Sequence, residues 1–334
     1  MPGPASRIYW IVLTLCIVWS DSTFAQKPAL LPPLSGLDIF MPVPADNPLR
    51  AEVVELGRRL FFDTDLSADS IVSCATCHQP DKGFSNELAI SVGVFDRRGT
   101  RNVPAILNRG YGKAFFWDGR IESLEEQVLQ PIIAFDEMGM TIEELLSQLQ
   151  SDPFYSTRFL EVFSRSVNKE DLGRALASYV RTIRAGSSAF DRFTGGDADA
   201  LTEMEKEGLL LFQGKARCDR CHLGSNLSDE GFHNTGVAWI DGRLLDSGRA
   251  LVTDLNRDRG AFKTPTLRQI TITAPYMHDG SLATLEEVVD FYDQGGNPNP
   301  ELDPLIKPLV LNSREKRALI AFLRSLSGSV SEGL

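Results

Sequence analysis

The chain is poor in cysteine, histidine and positive charge. It has five Cys and four His among 334 residues, and its 34 Lys and Arg face 45 Asp and Glu. The resulting formal net charge of −11 at pH 7 argues against a nucleic-acid partner, because that class of binding depends on an excess of cations. An acidic surface of this kind fits a basic protein partner instead.

Long hydrophobic runs are also missing, apart from the apolar stretch at residues 8–19. That stretch is too short to span a bilayer. Arg7 precedes it, and the small residues Thr23 and Ala25 follow, so residues 1–25 have the form of a secretory signal peptide. Its removal would take Cys16 with it. We therefore expect a periplasmic protein whose mature chain has no membrane span and four cysteines.

These four cysteines form two copies of one pattern. Residues 74–78 have the sequence CATCH and residues 218–222 the sequence CDRCH. C-x-x-C-H is the attachment signal for c-type haem, in which both thiols bind the porphyrin and the His binds iron. Disulfides or structural zinc would also use C-x-x-C, but zinc needs a fourth ligand at each site. The sequence therefore predicts two covalently bound c-type haems, attached through Cys74, Cys77, His78, Cys218, Cys221 and His222.

Helical signals dominate the rest of the chain. Residues 51–62, 172–183 and 313–326 carry apolar side chains at helical spacing. Capping boxes at residues 141–144, 202–205 and 284–287 predict three further helix starts. Strand signals are sparse. We expect a mostly α fold with long loops around the haems, preceded by an extended, proline-rich segment at residues 26–45.

An internal repeat divides the chain into two parts. Residues 118–126 have the sequence DGRIESLEE, and residues 279–287 the related sequence DGSLATLEE. A repeat of this kind predicts two domains built on one plan. We expect an N-terminal haem domain at residues 46–165 and a C-terminal haem domain at residues 166–334, in tandem.

The repeat also predicts that the two irons differ. Tyr292 follows Asp279 by thirteen residues, whereas Pro131, which cannot bind iron, stands at the equivalent distance from Asp118. The first half has no histidine besides His78, so its iron is expected to keep an open position that binds small oxygen species. The alternatives left open are Met138 or Met140 as ligands of the first iron, and Tyr276, Met277, His278 or His233 in place of Tyr292.

Four motifs together resemble the bacterial dihaem cytochrome c peroxidase family, and within it the MauG-like branch. They are the two C-x-x-C-H pentapeptides, FWDGR at residues 116–120, the pair Glu137-Met138, and APYMHDG at residues 274–280. The resemblance covers nearly all of the mature chain. It implies two α-helical cytochrome c-like domains with a calcium ion between them, a peroxidatic first haem and an electron-transferring second haem.

The resemblance also implies roles for single residues. Glu137 corresponds to the distal acid/base that moves a proton during cleavage of the peroxide O–O bond. Gln127 and Pro131 correspond to positions that shape the distal pocket. Trp117 corresponds to the tryptophan between the two haems, although a core aromatic residue is an alternative interpretation. Tyr292 corresponds to the second ligand of the C-terminal haem iron.

The resemblance further implies a calcium site and two departures from the better-known peroxidases. Asn102, Thr273 and the carbonyl of Pro275 correspond to calcium ligands, and oxygen donors suit that ion. Those peroxidases have a distal His where this chain has Val94, and a Met where it has Tyr292. We therefore expect activity from the fully ferric protein, without prior reduction of one haem.

The leading hypothesis is an exported peroxidase that reduces hydrogen peroxide. Its electrons would come from a c-type cytochrome or another redox protein. One alternative is MauG-like oxidation of side chains on a partner protein, although the surface Trp that MauG carries before the second C-x-x-C-H is replaced here by KAR at residues 215–217. A second alternative is a dihaem electron carrier without catalysis. The sequence leaves open whether the chain forms a homodimer.

Overall fold

The structure is a computed structural model, and it describes Met1, Gly3 and residues 31–334. The predicted signal peptide at residues 1–25 otherwise lies outside the described residues. Among the helices that are described, none has the length and apolar character needed to cross a membrane.

Helices account for most of the regular structure in residues 31–334. The α-helices are α1 Ala51–Phe62, α2 Cys74–Cys77, α3 Leu124–Gln127, α4 Gln130–Ile133, α5 Ile142–Ser151, α6 Pro153–Phe163, α7 Lys169–Thr182, α8 Ala189–Thr194, α9 Glu203–Gln213, α10 Ala250–Thr253, α11 Leu285–Gln294 and α12 Ser313–Arg324. The strands are β1 Arg184–Gly186, β2 Phe232–His233, β3 Trp239–Ile240, β4 Arg243–Leu244, β5 Phe262–Lys263 and β6 Ser329–Ser331. The strands pair antiparallel as β1–β6, β2–β5 and β3–β4.

The helix predictions are confirmed. The predicted helix at residues 51–62 coincides with α1, and the three predicted capping boxes form at the starts of α5, α9 and α11. Helix α7 begins at Lys169, earlier than predicted, because the Asn168 side chain accepts a hydrogen bond from the Asp171 amide and caps the helix. Helix α12 ends at Arg324 rather than at residue 326.

Two hydrophobic cores are each built on a crossing pair of helices. Helix α1 packs on α7 in the first core, and α9 packs on α12 in the second. A glycine at each crossing lets the helices approach closely. A Cβ on Gly57 would stand 1.9 Å from the Ala175 carbonyl oxygen, and a Cβ on Gly208 would stand 2.0 Å from the Ala318 carbonyl oxygen.

The first core extends further along the chain than the sequence indicates. It includes the buried face of α7 and continues to Ala185, so a domain boundary at 165/166 would separate α7 from the helix it packs against. The second core begins at Phe212 and ends at Leu326. We therefore propose a boundary after Ala185 between the two units.

The internal repeat has the same local structure in both copies. Isolated antiparallel bridges join Phe115 to Ile121 in the first copy and Tyr276 to Leu282 in the second. In each copy the glycine after the aspartate has a left-handed backbone, with φ of +67° and +65°. Such φ values favour glycine, which explains why both copies keep the Asp-Gly pair.

Candidate functional site

The two proximal histidines are oriented in the same way. His78 Nδ1 lies 3.0 Å from the Phe84 carbonyl oxygen, and His222 Nδ1 lies 3.0 Å from the Leu227 carbonyl oxygen. Because a carbonyl can only accept, each Nδ1 carries the proton and each Nε2 is left as a metal ligand. Burial lowers the pKa of His78 to about 4, which keeps this ring neutral and able to bind iron.

The four cysteines are unpaired, which agrees with attachment to haem rather than with disulfides. Burial raises the pKa of Cys74 to about 12 and that of Cys77 to about 11, so free thiols at these places would stay protonated. The described residues contain one cluster of possible metal ligands, formed by Cys221, Asp229 and His233. A zinc site built on C-x-x-C would use both cysteines of a motif, but this cluster contains only Cys221. The zinc alternative therefore gains no support.

One cavity of about 720 Å³ connects the two motifs. Its wall contains His78 and His222, and it is mainly apolar. A large apolar cavity with two histidines presenting Nε2 and with unpaired cysteines beside each of them fits two c-type haems. The structure also brings almost every predicted site residue to this wall: Cys77, Cys218, Cys221, Asn102, Trp117, Gln127, Pro131, Glu137, Thr273, Pro275 and Tyr292.

Glu137 is held at the cavity by the loop that contains Gly93. The Val94 amide donates to the Glu137 carbonyl oxygen at 2.8 Å, and a Cβ on Gly93 would stand 2.3 Å from that same oxygen. Burial raises the pKa of Glu137 to about 7, with a further increase from the neighbouring Asp136 and an opposing decrease from Arg120. A carboxyl with this pKa can both accept and return a proton near neutral pH.

The two methionines considered as ligands of the first iron lie away from the cavity wall. Met138 is 2% exposed and belongs to the first core, and Met140 packs against the same core. Neither residue lines the cavity, whereas Gln127 and Pro131 do. The methionine alternatives for the first iron therefore gain no support from the structure.

Tyr292 lies on α11 and lines the cavity on the side of the second motif. Burial raises the pKa of Tyr292, so its phenolate form needs a nearby cation such as ferric iron. Its rival Tyr276 uses its hydroxyl to donate to the Ile270 carbonyl oxygen at 2.8 Å. Among the described residues that line the cavity, Tyr292 is therefore the tyrosine whose hydroxyl group makes no hydrogen bond.

The two histidine rivals are engaged by other groups. His233 Nδ1 lies 2.6 Å from Asp303, and its Nε2 lies 2.9 Å from Asp229, so both ring nitrogens have carboxylate partners. The His278 ring stacks on Phe262 with centroids 3.6 Å apart and an interplanar angle of 13°. Stacking does not occupy the ring nitrogens, so His278 remains a rival together with Met277, and both line the cavity.

Trp117 lies where the two units meet. Its Nε1 donates to the Asn102 carbonyl oxygen at 2.9 Å, and its own carbonyl oxygen accepts from the Lys263 amide at 2.8 Å. The side chain is half-buried and lines the cavity. The indole is thus held by its own half of the chain, and the backbone of Trp117 is bound to the other half.

The three predicted calcium ligands also share the cavity wall. The Asn102 Nδ2 donates to the Leu88 carbonyl oxygen at 2.9 Å, which leaves the amide oxygen of Asn102 for another partner. Thr273 and Pro275 lie on the opposite half of the chain, so these oxygens come from both units. Oxygen donors of this type suit calcium.

The sequence reasoning missed an ion-pair network beside this site. Arg101 donates to Asp118 at 2.7 Å and to Asp246 at 2.7 and 2.9 Å, and so connects the two halves. Asp118 is 4% exposed and belongs to the repeat. Its position in the FWDGR motif is the sequence feature that could have indicated this network. Arg120, from the same motif, stacks on Phe116 at 3.6 Å and lines the cavity with Glu137.

Comparisons with known proteins agree with this arrangement. Residues 51–199 match the family described as di-haem cytochrome c peroxidase. The chain is 41% identical over 288 residues to the methylamine utilization protein MauG of Methylorubrum extorquens, covering 86% of this chain and 81% of that protein. It is 38% identical to the cytochrome-c peroxidase IdrP1 of Pseudomonas sp. strain SCT, with 96% and 91% covered.

Solved structures show the same fold. A MauG-like protein associated with microbial copper homeostasis superposes with a TM-score of 0.80 at 33% identity, over 91% of this chain and 95% of that one. The dihaem peroxidase BthA of Burkholderia thailandensis gives a TM-score of 0.73 at 24% identity, over 84% and 87%, which supports the fold alone. The helical fold and the cavity are thus those of a dihaem peroxidase. The chain belongs to the di-haem cytochrome c peroxidase family, which includes MauG, and it is an enzyme of peroxidase type.

Proposed function

We propose that the chain is an exported, periplasmic dihaem peroxidase that reduces hydrogen peroxide at the first haem. Electrons from a c-type cytochrome or another redox protein would enter through the second haem. The observation that carries this proposal is Glu137, a half-buried carboxyl with a pKa of about 7 on the cavity wall that also contains His78.

The haem iron supplies the electron transfer to peroxide, and the chain supplies the proton transfer. The ionised Glu137 removes a proton from one peroxide oxygen and returns it to the other, so that this oxygen leaves as water. The overall change consumes two electrons and two protons and yields two water molecules. Gln127 and Pro131 limit the space around the reacting oxygens, because they line the same wall.

We propose that His222 and Tyr292 would hold the second haem iron and that Trp117 would relay electrons between the haems. Both proposals are supported by the shared cavity, and the relay is also supported by the hydrogen bond from the Lys263 amide to the Trp117 carbonyl oxygen. We also propose one calcium ion held by Asn102, Thr273 and the Pro275 carbonyl. Its role would be to hold the two halves at the distance that electron transfer requires.

A MauG-like oxidation of partner-protein side chains is the second candidate, because a relative at 41% identity carries that name. Residues 215–217, before the second motif, include no aromatic residue, and Trp239 is the tryptophan nearest to the motif along the chain that could replace it. Trp239 is 9% exposed, so it offers little surface to a partner protein. This observation favours peroxide reduction over protein oxidation.

The proposal is tested by adding one equivalent of hydrogen peroxide to the purified diferric protein and recording its absorption spectrum. We expect a mixture of high-spin and low-spin ferric haem that reacts at once, without prior reduction. Two low-spin irons that are inert to peroxide would contradict the enzyme proposal and favour the electron carrier.

A further inference from the structure

Arg184 is a buried cation that has no acidic partner within residues 31–334. It lies in β1, where the first core ends, and it is 4% exposed. Its Nε and Nη2 atoms are buried and make no hydrogen bond. Burial lowers the pKa of Arg184, and the neighbouring Tyr111 hydroxyl opposes this change. Because an unpaired buried charge is costly, a side chain of this kind indicates an ion or water bound at its guanidinium.

Neither the haems nor residues 1–30 account for this charge. Arg184, Tyr111 and Asn226 all lie outside the wall of the cavity that fits the haems. Residues 1–30 contain one acid, Asp21, which belongs to the predicted signal peptide, and residues 26–30 have the sequence QKPAL. The counter-charge is thus supplied neither by a haem propionate nor by the start of the mature chain.

A second buried donor without a partner belongs to Asn226, four residues after His222. Asn226 is 7% exposed, and its Nδ2 makes no hydrogen bond. Its Oδ1 accepts from Asn108 Nδ2 at 3.1 Å. The same Nδ2 atom of Asn108 donates to the Ala185 carbonyl oxygen at 3.1 Å, directly after Arg184 in the chain. Asn108 therefore joins the two places that carry unbonded donors.

Further contacts on the other side of Arg184 close a ring. The neighbouring Tyr111 hydroxyl donates to the Asp38 carbonyl oxygen at 3.0 Å. The Asp38 carboxylate accepts from Ser225 Oγ at 2.8 Å, and Ser225 directly precedes Asn226. The ring thus contains parts of the first unit, β1, the second unit and the extended N-terminal segment. The unbonded donors of Arg184 and Asn226 belong to this one ring of contacts.

The acids of this region do not neutralise Arg184. Asp38 is exposed and bonded to Ser225, and it forms no ion pair with Arg184. Water screens an exposed carboxylate far more than a buried guanidinium, so Asp38 offsets little of the buried charge. Arg268 donates to the Ser225 carbonyl oxygen at 2.8 Å, and it already takes both carboxylate oxygens of Asp191, at 2.8 and 3.0 Å.

We infer that Arg184 and Asn226 form a binding site for a small inorganic anion such as chloride, where the two units meet. Guanidinium and amide N–H groups are donors that suit an anion, and the charge of Arg184 favours an anion over water. The burial of these donors favours a small ion over a bulky organic acid. A bound ion would contact both units and so stabilise their junction. This inference does not depend on the proposed peroxidase function.

The direct test is a crystal of the native dihaem protein soaked in sodium bromide. Anomalous diffraction at the bromine absorption edge locates the ion. We expect a bromide peak within hydrogen-bonding distance of the Arg184 guanidinium. No variant is needed, so a folding defect cannot obscure the result. Bromide at other places only, or a water molecule at Arg184, overturns the inference.

The test in solution is thermal unfolding of the native protein as sodium chloride replaces sodium gluconate at constant ionic strength. An ion that binds the folded state stabilises it by mass action, so Tm should rise with chloride. Arg184→Gln should lose this rise. Arg257→Gln is the matched control, because it removes the same charge from a side chain that is 82% exposed, and it should keep the rise. No rise in the native protein, or an equal rise in Arg184→Gln, contradicts the site.

Asp38→Asn tests whether the chain supplies its own counter-charge. If chloride binds at Arg184, removing a nearby negative charge should lower the chloride concentration that gives half of the rise in Tm. A rise that appears in Asp38→Asn and is missing from the native protein would show that the Asp38 carboxylate takes the place of the anion. That outcome would overturn the inference.

Discussion

Trp117 and His278 occupy equivalent positions in the two repeats, and each repeat accepts a hydrogen bond from the other at that position. The Lys263 amide donates to the Trp117 carbonyl oxygen at 2.8 Å, and the Asn102 amide donates to the His278 carbonyl oxygen at 2.7 Å. Lys263 and Asn102 are themselves equivalent positions, since the same spacing of 161 residues separates both pairs. The two halves are therefore joined by a reciprocal pair of backbone hydrogen bonds.

The first prediction concerns the indole at this junction. Trp117→Phe removes the Nε1 donor to Asn102 and the proposed electron relay, so kcat with a protein donor should fall by about tenfold, or ~1.4 kcal/mol in barrier height. The rate of the first reaction of the diferric protein with peroxide should stay unchanged. Trp239→Phe, which alters a buried tryptophan outside the cavity wall, is the control and should leave kcat unaffected.

The second prediction concerns the distal carboxyl. Glu137→Gln keeps the size of the side chain but removes its ability to take a proton, and kcat/KM for peroxide should fall by about 10²- to 10⁴-fold. Glu143→Gln changes an exposed acid on α5 and should have no effect. Stopped-flow mixing with peroxide measures both variants. An unchanged rate in Glu137→Gln would show that another group moves the proton.

The third prediction is a pH profile. The ionised form of Glu137 is the base, so kcat/KM for peroxide should rise with pH, with a midpoint near the pKa of about 7. Asp136→Asn removes a neighbouring negative charge, lowers the pKa of Glu137 and should move the midpoint to lower pH. Arg120→Gln removes a positive charge and should move it to higher pH. Shifts in the same direction for both variants would exclude Glu137 as the titrating group.

The fourth prediction tests the ligand of the second iron. Tyr292→Phe removes the hydroxyl, so the low-spin ferric signal in electron paramagnetic resonance should be lost while both haems stay attached. Tyr276→Phe is the control, because its hydroxyl donates to the Ile270 carbonyl and is not free to bind iron. A low-spin signal that survives in Tyr292→Phe would favour Met277 or His278, which also line the cavity.

The fifth prediction concerns the helix crossings. Gly57→Ala and Gly208→Ala place a methyl group against a backbone carbonyl of the partner helix, at 1.9 and 2.0 Å, so α1 and α7, or α9 and α12, must separate. Each change should lower the free energy of unfolding by about 1–3 kcal/mol. Glu55→Ala, on the exposed side of α1, should change it by less than about 0.5 kcal/mol. Guanidinium unfolding followed by circular dichroism compares the three variants.

Local sequence patterns predicted the features that depend on neighbouring residues. The capping boxes at Thr141, Thr202 and Thr284 form as predicted because the Glu three positions later reaches back to the cap within one turn. The two copies of the repeat, at Asp118 and Asp279, have the same β-bridge and the same glycine conformation. These features also depend on residues that are close together along the chain. The packing partner of α7 could not be predicted in this way. The periodicity of its apolar residues shows that one face is buried, but it does not show which helix covers that face.

The sequence by itself determined the two haem-attachment motifs, the helices and the asymmetry between Pro131 and Tyr292, since each of these is written in residues close together along the chain. Only the tertiary structure decided how the halves meet at Trp117 and Lys263, and that burial brings the pKa of Glu137 to about 7. These properties depend on which distant groups come within a few ångströms of one another.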